Sequence, residues 1–245
     1  SYGQVAPEHG TWADFDELLA AVQARGMRLV LDMVLNHTSD QHPWFREALR
    51  RQDSQERDFY IFRPGRGKDG RLPPNNWRSM IGPRGWHRDP ASGEWYFASF
   101  LPFQPDLNHR NPKAQQAMLA IIEGFLRKGV DGLRLDIFNA LYKDAGFLNN
   151  PPSLRPLPSE DNADGFFQQN RYTINHPDSI AFARKLREFV DNVPGGPRFL
   201  VGEVFGPPAL LRAYCGERGD GLNLVFLFKS LRTKFSASAF HDLIA

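Results

Sequence analysis

The chain has 245 residues, 41% of them hydrophobic and 24% charged, with a formal net charge of +2, enough apolar material for one sizeable core or two modest ones. Its lysines and arginines are scattered, which argues against nucleic acid or an anionic membrane as a partner, and no run of about 18 apolar residues marks a membrane span. The opening SYGQVAPEHG has neither a charged n-region nor an apolar h-region, so this stretch carries no targeting segment and the localisation reads as cytoplasmic, an upstream signal aside.

Thr11 and Asp14 resemble a capping box, and Phe15, Leu18, Leu19 and Val22 recur at helical spacing until Gly26 supplies a stop, which predicts an amphipathic helix. The nearly continuous apolar run MRLVLDMVL then predicts a strand buried on both faces of a parallel sheet. Residues 38–110 are rich in Pro, Gly, Trp, Asn and Arg, with only short strand candidates such as EWYFASF. They are too long for an ordinary strand-to-helix loop and read as a small inserted domain, in which His42, Trp44 and Trp77 serve packing.

Helix and strand resume at Asn111 and Pro112, a cap followed by a first-turn proline. Met118, Ile121, Ile122, Phe125 and Leu126 share one face, Gly129 closes the helix, and the strand VDGLRLD follows. A second irregular segment covers residues 143–176. A third unit has helix DSIAFARKLREFVDNV, the break PGGP and strand RFLVGEV; a fourth has helix PALLRAYCGERG and strand LNLVFLF, before a helix-like segment from Lys229. The one cysteine, Cys215, has no intrachain partner and no neighbouring His or Cys to suggest a metal site, and reads as a buried structural thiol.

Alternating helix and strand predict an α/β fold with a parallel sheet wrapped by helices. Both irregular segments leave from the C-terminal ends of strands, where a (β/α)8 TIM barrel builds its active site. A complete barrel needs roughly 250 residues, and only four parallel strands are convincing here. The expectation is therefore a partial barrel with strands missing before Ser1 and after Ala245, divided into a first barrel segment (1–37), an inserted domain (38–110) and a second barrel segment (111–245).

Polar groups close these strands in order: Asp32, Asn36 and His37 in LDMVLNH, Arg134 and Asp136 in GLRLD, and Glu203 in VGEV. Any one of them alone reads best as a helix cap or a buried ion pair. Three strands ending in Asp, Asp and Glu are harder to explain by capping, and a pair of carboxyl groups at one pocket suits glycoside hydrolysis. That chemistry needs unequal acidities. The Arg134 guanidinium would keep Asp136 ionised, whereas Glu203, beyond the apolar FLV, would be desolvated and hold its proton. Metal-dependent hydrolysis through Asp32, His37, Asp136 and Glu203 is the weaker competitor, since no HxH or HExxH spacing occurs and Arg134 would sit badly beside a cation.

At these residues the chain resembles the α-amylase family, glycoside hydrolase family 13. LDMVLNH, GLRLD and VGEV are similar to its first three signature motifs, in order. QPDLN (104–108) is similar to the motif of the oligo-1,6-glucosidase and α-glucosidase branch, as are HTSDQHPWF, PPNNW and NHRNP. The resemblance implies a retaining α-glucosidase-type enzyme acting on short α-linked glucosides or oligosaccharides. Asp136 would be the nucleophile, Glu203 the general acid and then base, and Arg134 the residue that orients Asp136. His37 would contact the sugar, Asp32 would brace the strand-end network, and Phe100 and Gln104 would line the pocket.

The resemblance implies no cofactor and no metal. Asn36 matches a calcium-ligating position of many α-amylases, and is expected here to hydrogen-bond backbone instead. Ile137, after the nucleophile, is closer to the Val of 1,6-cleaving members than to the Thr or Ala of 1,4-cleaving ones. The family's fourth motif, a His-Asp pair, is not matched: FHD at 240–242 falls in a helix-like tail. The chain alone is therefore expected to have little or no activity. Alternatives are a sucrose or maltose isomerase or transglycosylase of the same family, and a catalytically silent binding or transporter-associated relative. The oligomeric state is left open.

Overall fold

The structure is a computed structural model that describes residues 2–157 and 164–244. Helix α1 (Trp12–Ala24) begins on a true capping box: Asp14 N–H donates to Thr11 Oγ1 at 3.4 Å, and Thr11 N–H donates to Asp14 Oδ2 at 2.7 Å. Of the four apolar positions read as its inner face, Leu19 is buried but Leu18 is 54% exposed. Strand β1 (Val30–Val34) is shorter than the apolar run that announced it, and it is not buried on both faces. Met33 is buried, whereas Val30 and Asp32 on the opposite face are exposed.

The segment after β1 holds a helix that the composition hid, α2 (Pro43–Arg50). Its cap is a histidine in place of the usual Ser, Thr or Asp: His42 Nδ1 accepts the Trp44 N–H at 3.2 Å, and Pro43 opens the first turn. Strands β2 (Phe62–Arg63), β3 (Trp86–Arg88) and β4 (Trp95–Phe97) form an antiparallel sheet in the order β2-β4-β3. Trp77 stacks on Trp86 at 5.9 Å and meets Phe97 edge-on, and Trp44 stands edge-on to Phe59 at 5.2 Å and to His42 at 4.7 Å. All three residues read as packing groups therefore do pack.

Helix α3 (Pro112–Lys128) is capped by Asn111, which accepts the Lys113 N–H at 2.9 Å, and ends at Gly129 with φ +103°. Met118, Ile122 and Leu126 are buried, in one apolar cluster with Leu133, Leu135 and Leu200 of the sheet and with Phe45, Phe59 and Tyr60. Strand β5 (Gly132–Asp136) pairs in parallel with β1 on one side and with β6 (Phe199–Gly202) on the other. A Cβ at Gly132 would lie 2.4 Å from the Phe199 carbonyl oxygen, so this close pairing requires glycine.

Helix α4 (Pro177–Asp191) precedes β6, and α5 (Pro208–Cys215) precedes β7 (Leu224–Val225). Helix α5 stops at Gly216, φ +77°, four residues before the pattern suggested, and Cys215 is half-buried where full burial was expected; that burial raises its thiol pKa. Only two residues of LNLVFLF enter the ladder. The tail is not one helix but a 3-10 turn at Phe228–Arg232 followed by α6 (Ala237–Ile244), where His241 and Asp242 of FHD are exposed. The second irregular segment has no helix or strand among its described residues, and 158–163 lie outside the description. The result is a four-stranded parallel sheet, β1-β5-β6-β7, with helices packed on one face and no closed barrel among the described residues.

Candidate active site

Parallel register places the charged residues together. Asp32 lies opposite Arg134, which lies opposite Val201, and Asp136 lies opposite Val34. Side chains alternate along strands, so Asp32, Arg134 and Asp136 share the face not covered by helices. Glu203 follows directly on β6 at the same end.

One guanidinium joins the set. Arg134 Nη1 donates to Asp32 Oδ1 at 2.8 Å and to Asp136 Oδ1 at 2.5 Å, and Nη2 donates to Glu203 Oε2. The carboxylates differ in access: the Asp32 side chain is 61% exposed and that of Glu203 only 17%. Burial raises the Glu203 pKa above the ordinary carboxyl range, and hydrogen bonding with Asp136 and the charge of that group add to the rise. The charge of Arg134 pulls it down, but does not cancel the shift. The Phe226 ring lies 5.9 Å from the guanidinium carbon.

His37, Phe100 and Gln104 form a second group beside the first. Gln104 Nε2 is 3.0 Å from His37 Nε2, and the Phe100 ring centroid is 5.4 Å from the imidazole. Burial lowers the His37 pKa, so the ring is neutral near neutral pH; the charges of Asp106 and then Asp136 act against that shift.

Asn36 departs from its expected backbone pairing. Its side-chain Oδ1 accepts from Lys143 Nζ at 2.8 Å, because a buried ammonium needs oxygen partners and Asn36 stands where it can supply one. Lys143 also donates to Ala140 O at 2.5 Å and ion-pairs with Asp106, whose carboxylate accepts the Ser99 N–H at 2.8 Å. Both members of that pair are almost fully buried. Among the described residues no group of three or more His, Cys, Asp and Glu side chains could hold a metal ion.

The structure thus brings Asp32, Asp136 and Glu203 onto the one Arg134 guanidinium, and His37, Phe100 and Gln104 into a group of their own. Sequence reasoning missed Tyr2, whose hydroxyl donates to Val34 O at 2.5 Å and lies 3.2 Å from His37 O. Burial, then the charge of Asp136, raises its phenol pKa. It also missed Lys143 and Asp106. Asp106 was within reach, since it sits inside QPDLN; Tyr2 and Lys143 belong to no periodic segment that could have marked them.

Residues 1–244 match the family described as alpha amylase, catalytic domain. An oligo-1,6-glucosidase of Halalkalibacterium halodurans is 38% identical over 93% of this chain and 38% of its own length. The crystal structure of an alpha-glucosyl transfer enzyme superposes with a TM-score of 0.89 at 32% identity, over 100% of this chain and 46% of that one. An isomaltulose synthase from Klebsiella sp. LX3 gives 0.84 at 33% identity, over 100% and 43%. The chain spans about two fifths of the length of the curated relatives it matches. On this match and on its three ordered strand-end motifs, the chain belongs to the alpha-amylase catalytic-domain family.

Proposed function

We propose that the protein is a retaining α-glucosidase-type glycoside hydrolase acting on short α-linked glucosides. The observation that carries this reading is a single guanidinium bonded to both Asp136 and Glu203, with Glu203 the more buried of the two and its pKa raised. Asp136 attacks the anomeric carbon while Glu203 gives its proton to the departing glycosidic oxygen, leaving a β-glycosyl ester on Asp136. Glu203, now ionised, takes a proton from water, whose oxygen displaces Asp136 and restores the α configuration. Arg134 orients Asp136, and Asp32 steadies Arg134. His37, Phe100 and Gln104 line the sugar site, with a neutral imidazole, an aromatic face and an amide suited to hydroxyls.

Ile137 and the likeness to an oligo-1,6-glucosidase favour α-1,6 linkages. The same reading divides the chain into barrel residues 1–37 and 111–245 around an inserted unit, 38–110. A second reading keeps this pair of carboxyl groups and changes the acceptor from water to a sugar, giving transfer or isomerisation; the likeness to an alpha-glucosyl transfer enzyme and an isomaltulose synthase supports it. Asp136→Asn tests the common chemistry. Turnover of p-nitrophenyl α-glucoside should fall on the order of 10⁴-fold or more, and an unchanged rate would remove Asp136 as nucleophile.

A further inference from the structure

The ladder between β5 and β6 breaks its pattern at one residue. Glu203 N–H donates to Leu135 O at 2.9 Å, and in a regular parallel pair the bond returning to Glu203 O would come from the N–H of Ile137. It comes from Phe138 instead, at 2.9 Å. The ladder therefore skips Ile137, as at a bulge, where the extra residue bends the strand and re-aims side chains.

Ile137 pays for this with its backbone: it has φ +38° and ψ +47°, a left-handed conformation that a β-branched residue seldom takes. Such a conformation persists where the surroundings over-determine it. Here the Ile137 side chain is 2% exposed, and Ala140 N–H donates to Ile137 O at 3.0 Å. The next turn is fastened from outside, by Asn139 Nδ2 to Asn175 Oδ1 at 3.0 Å and to Phe205 O at 3.1 Å. The amide released from the ladder has a new acceptor. Ile137 N lies 3.4 Å from Glu203 Oε2, the same oxygen that Arg134 Nη2 addresses.

We propose that Ile137 is a positioning residue: by stepping out of the ladder it turns its own N–H onto the Glu203 carboxylate and fixes that group beside Asp136, its covalent neighbour. The inference rests on Asp136 and Glu203 being the reacting pair. A backbone donor favours the ionised carboxylate, so the contact serves the second half of the reaction, when Glu203 has lost its proton and must receive one from water.

The test is the Ile137 amide proton followed by NMR across pH in the wild-type protein and in Glu203→Gln. The resonance should move downfield with the same midpoint as the Glu203 carboxyl carbon, and the movement should vanish in Glu203→Gln. A flat resonance overturns the proposal. So does a response that survives in Glu203→Gln, since the amide would then be sensing Asp136. Ile137→Gly separates backbone from side chain: glycine accepts a positive φ and keeps the N–H, so the residue 137 response and the Glu203 midpoint should persist while stability drops. Loss of the response in a folded Ile137→Gly protein would mean that the side chain does the positioning, and would contradict the proposal. A protein that cleaves no α-glucoside, yet whose Ile137 amide follows Glu203, would overturn the assigned reaction and leave the positioning intact.

Discussion

Arg134 is shared by three carboxylates of unequal exposure, so its removal acts on each differently. Its charge lowers the pKa of Glu203, against the larger effect of burial. A general acid works below its pKa and is lost as pH rises through it, so the basic limb of kcat/KM should belong to Glu203 and lie above the ordinary carboxyl range. Arg134→Gln should move that limb to still higher pH and lower kcat/KM roughly 10²- to 10³-fold. A pH–rate profile whose basic limb stays in place would deny that Arg134 sets the acidity of Glu203. The sequence was informative where a charge closed an apolar strand, as at Asp136 and Glu203. It was silent on Lys143, because the partners that make a buried ammonium tolerable, Asp106 and Asn36, lie 37 and 107 residues away and meet it only in the fold.

Elements with a complete local grammar were legible in advance. Helix α1 has Thr11 and Asp14 at its start, and α3 has Asn111 and Pro112 at one end and Gly129 at the other; each formed close to the expected bounds. Helix α2 went unseen because it has only eight residues and a histidine cap. Strand β1 looked doubly buried because apolar residues alone cannot say which face is covered, and among the described residues nothing covers the face that carries Val30 and Asp32. The register that aligns Asp32, Arg134 and Val201 was not readable, since strands distant in sequence are aligned by packing in the fold, which also sets how closely they approach. Gly132 is the test of that approach. Gly132→Ala would drive a Cβ to within 2.4 Å of the Phe199 carbonyl oxygen and should destabilise the fold by about 1–3 kcal/mol. Urea unfolding measures it, and a neutral result would show that β5 and β6 have slack.

The whole molecule keeps one face of its sheet packed and the other open among the described residues. Leu133, Leu135 and Leu200 are fully buried on the helix side, whereas Val30, Phe199, Leu224 and Phe226 are each more than a third exposed. Apolar surface of this kind invites association. Residues 1–245 expressed alone should bind a hydrophobic dye, self-associate at micromolar concentration and leave p-nitrophenyl α-glucoside intact; a dye-silent monomer with robust turnover would show that four strands suffice. Reaction through Asp136 passes through a sugar bonded covalently to the protein. The most direct measurement is mass spectrometry of the protein bearing this chain after exposure to 5-fluoro-α-glucosyl fluoride, which slows release of the sugar from the nucleophile. One fluoroglucosyl unit on the peptide that contains Asp136, absent in Asp136→Asn, is the predicted result. Continued cleavage of α-glucosides with no sugar on that peptide, or with the sugar on another carboxylate, would contradict it.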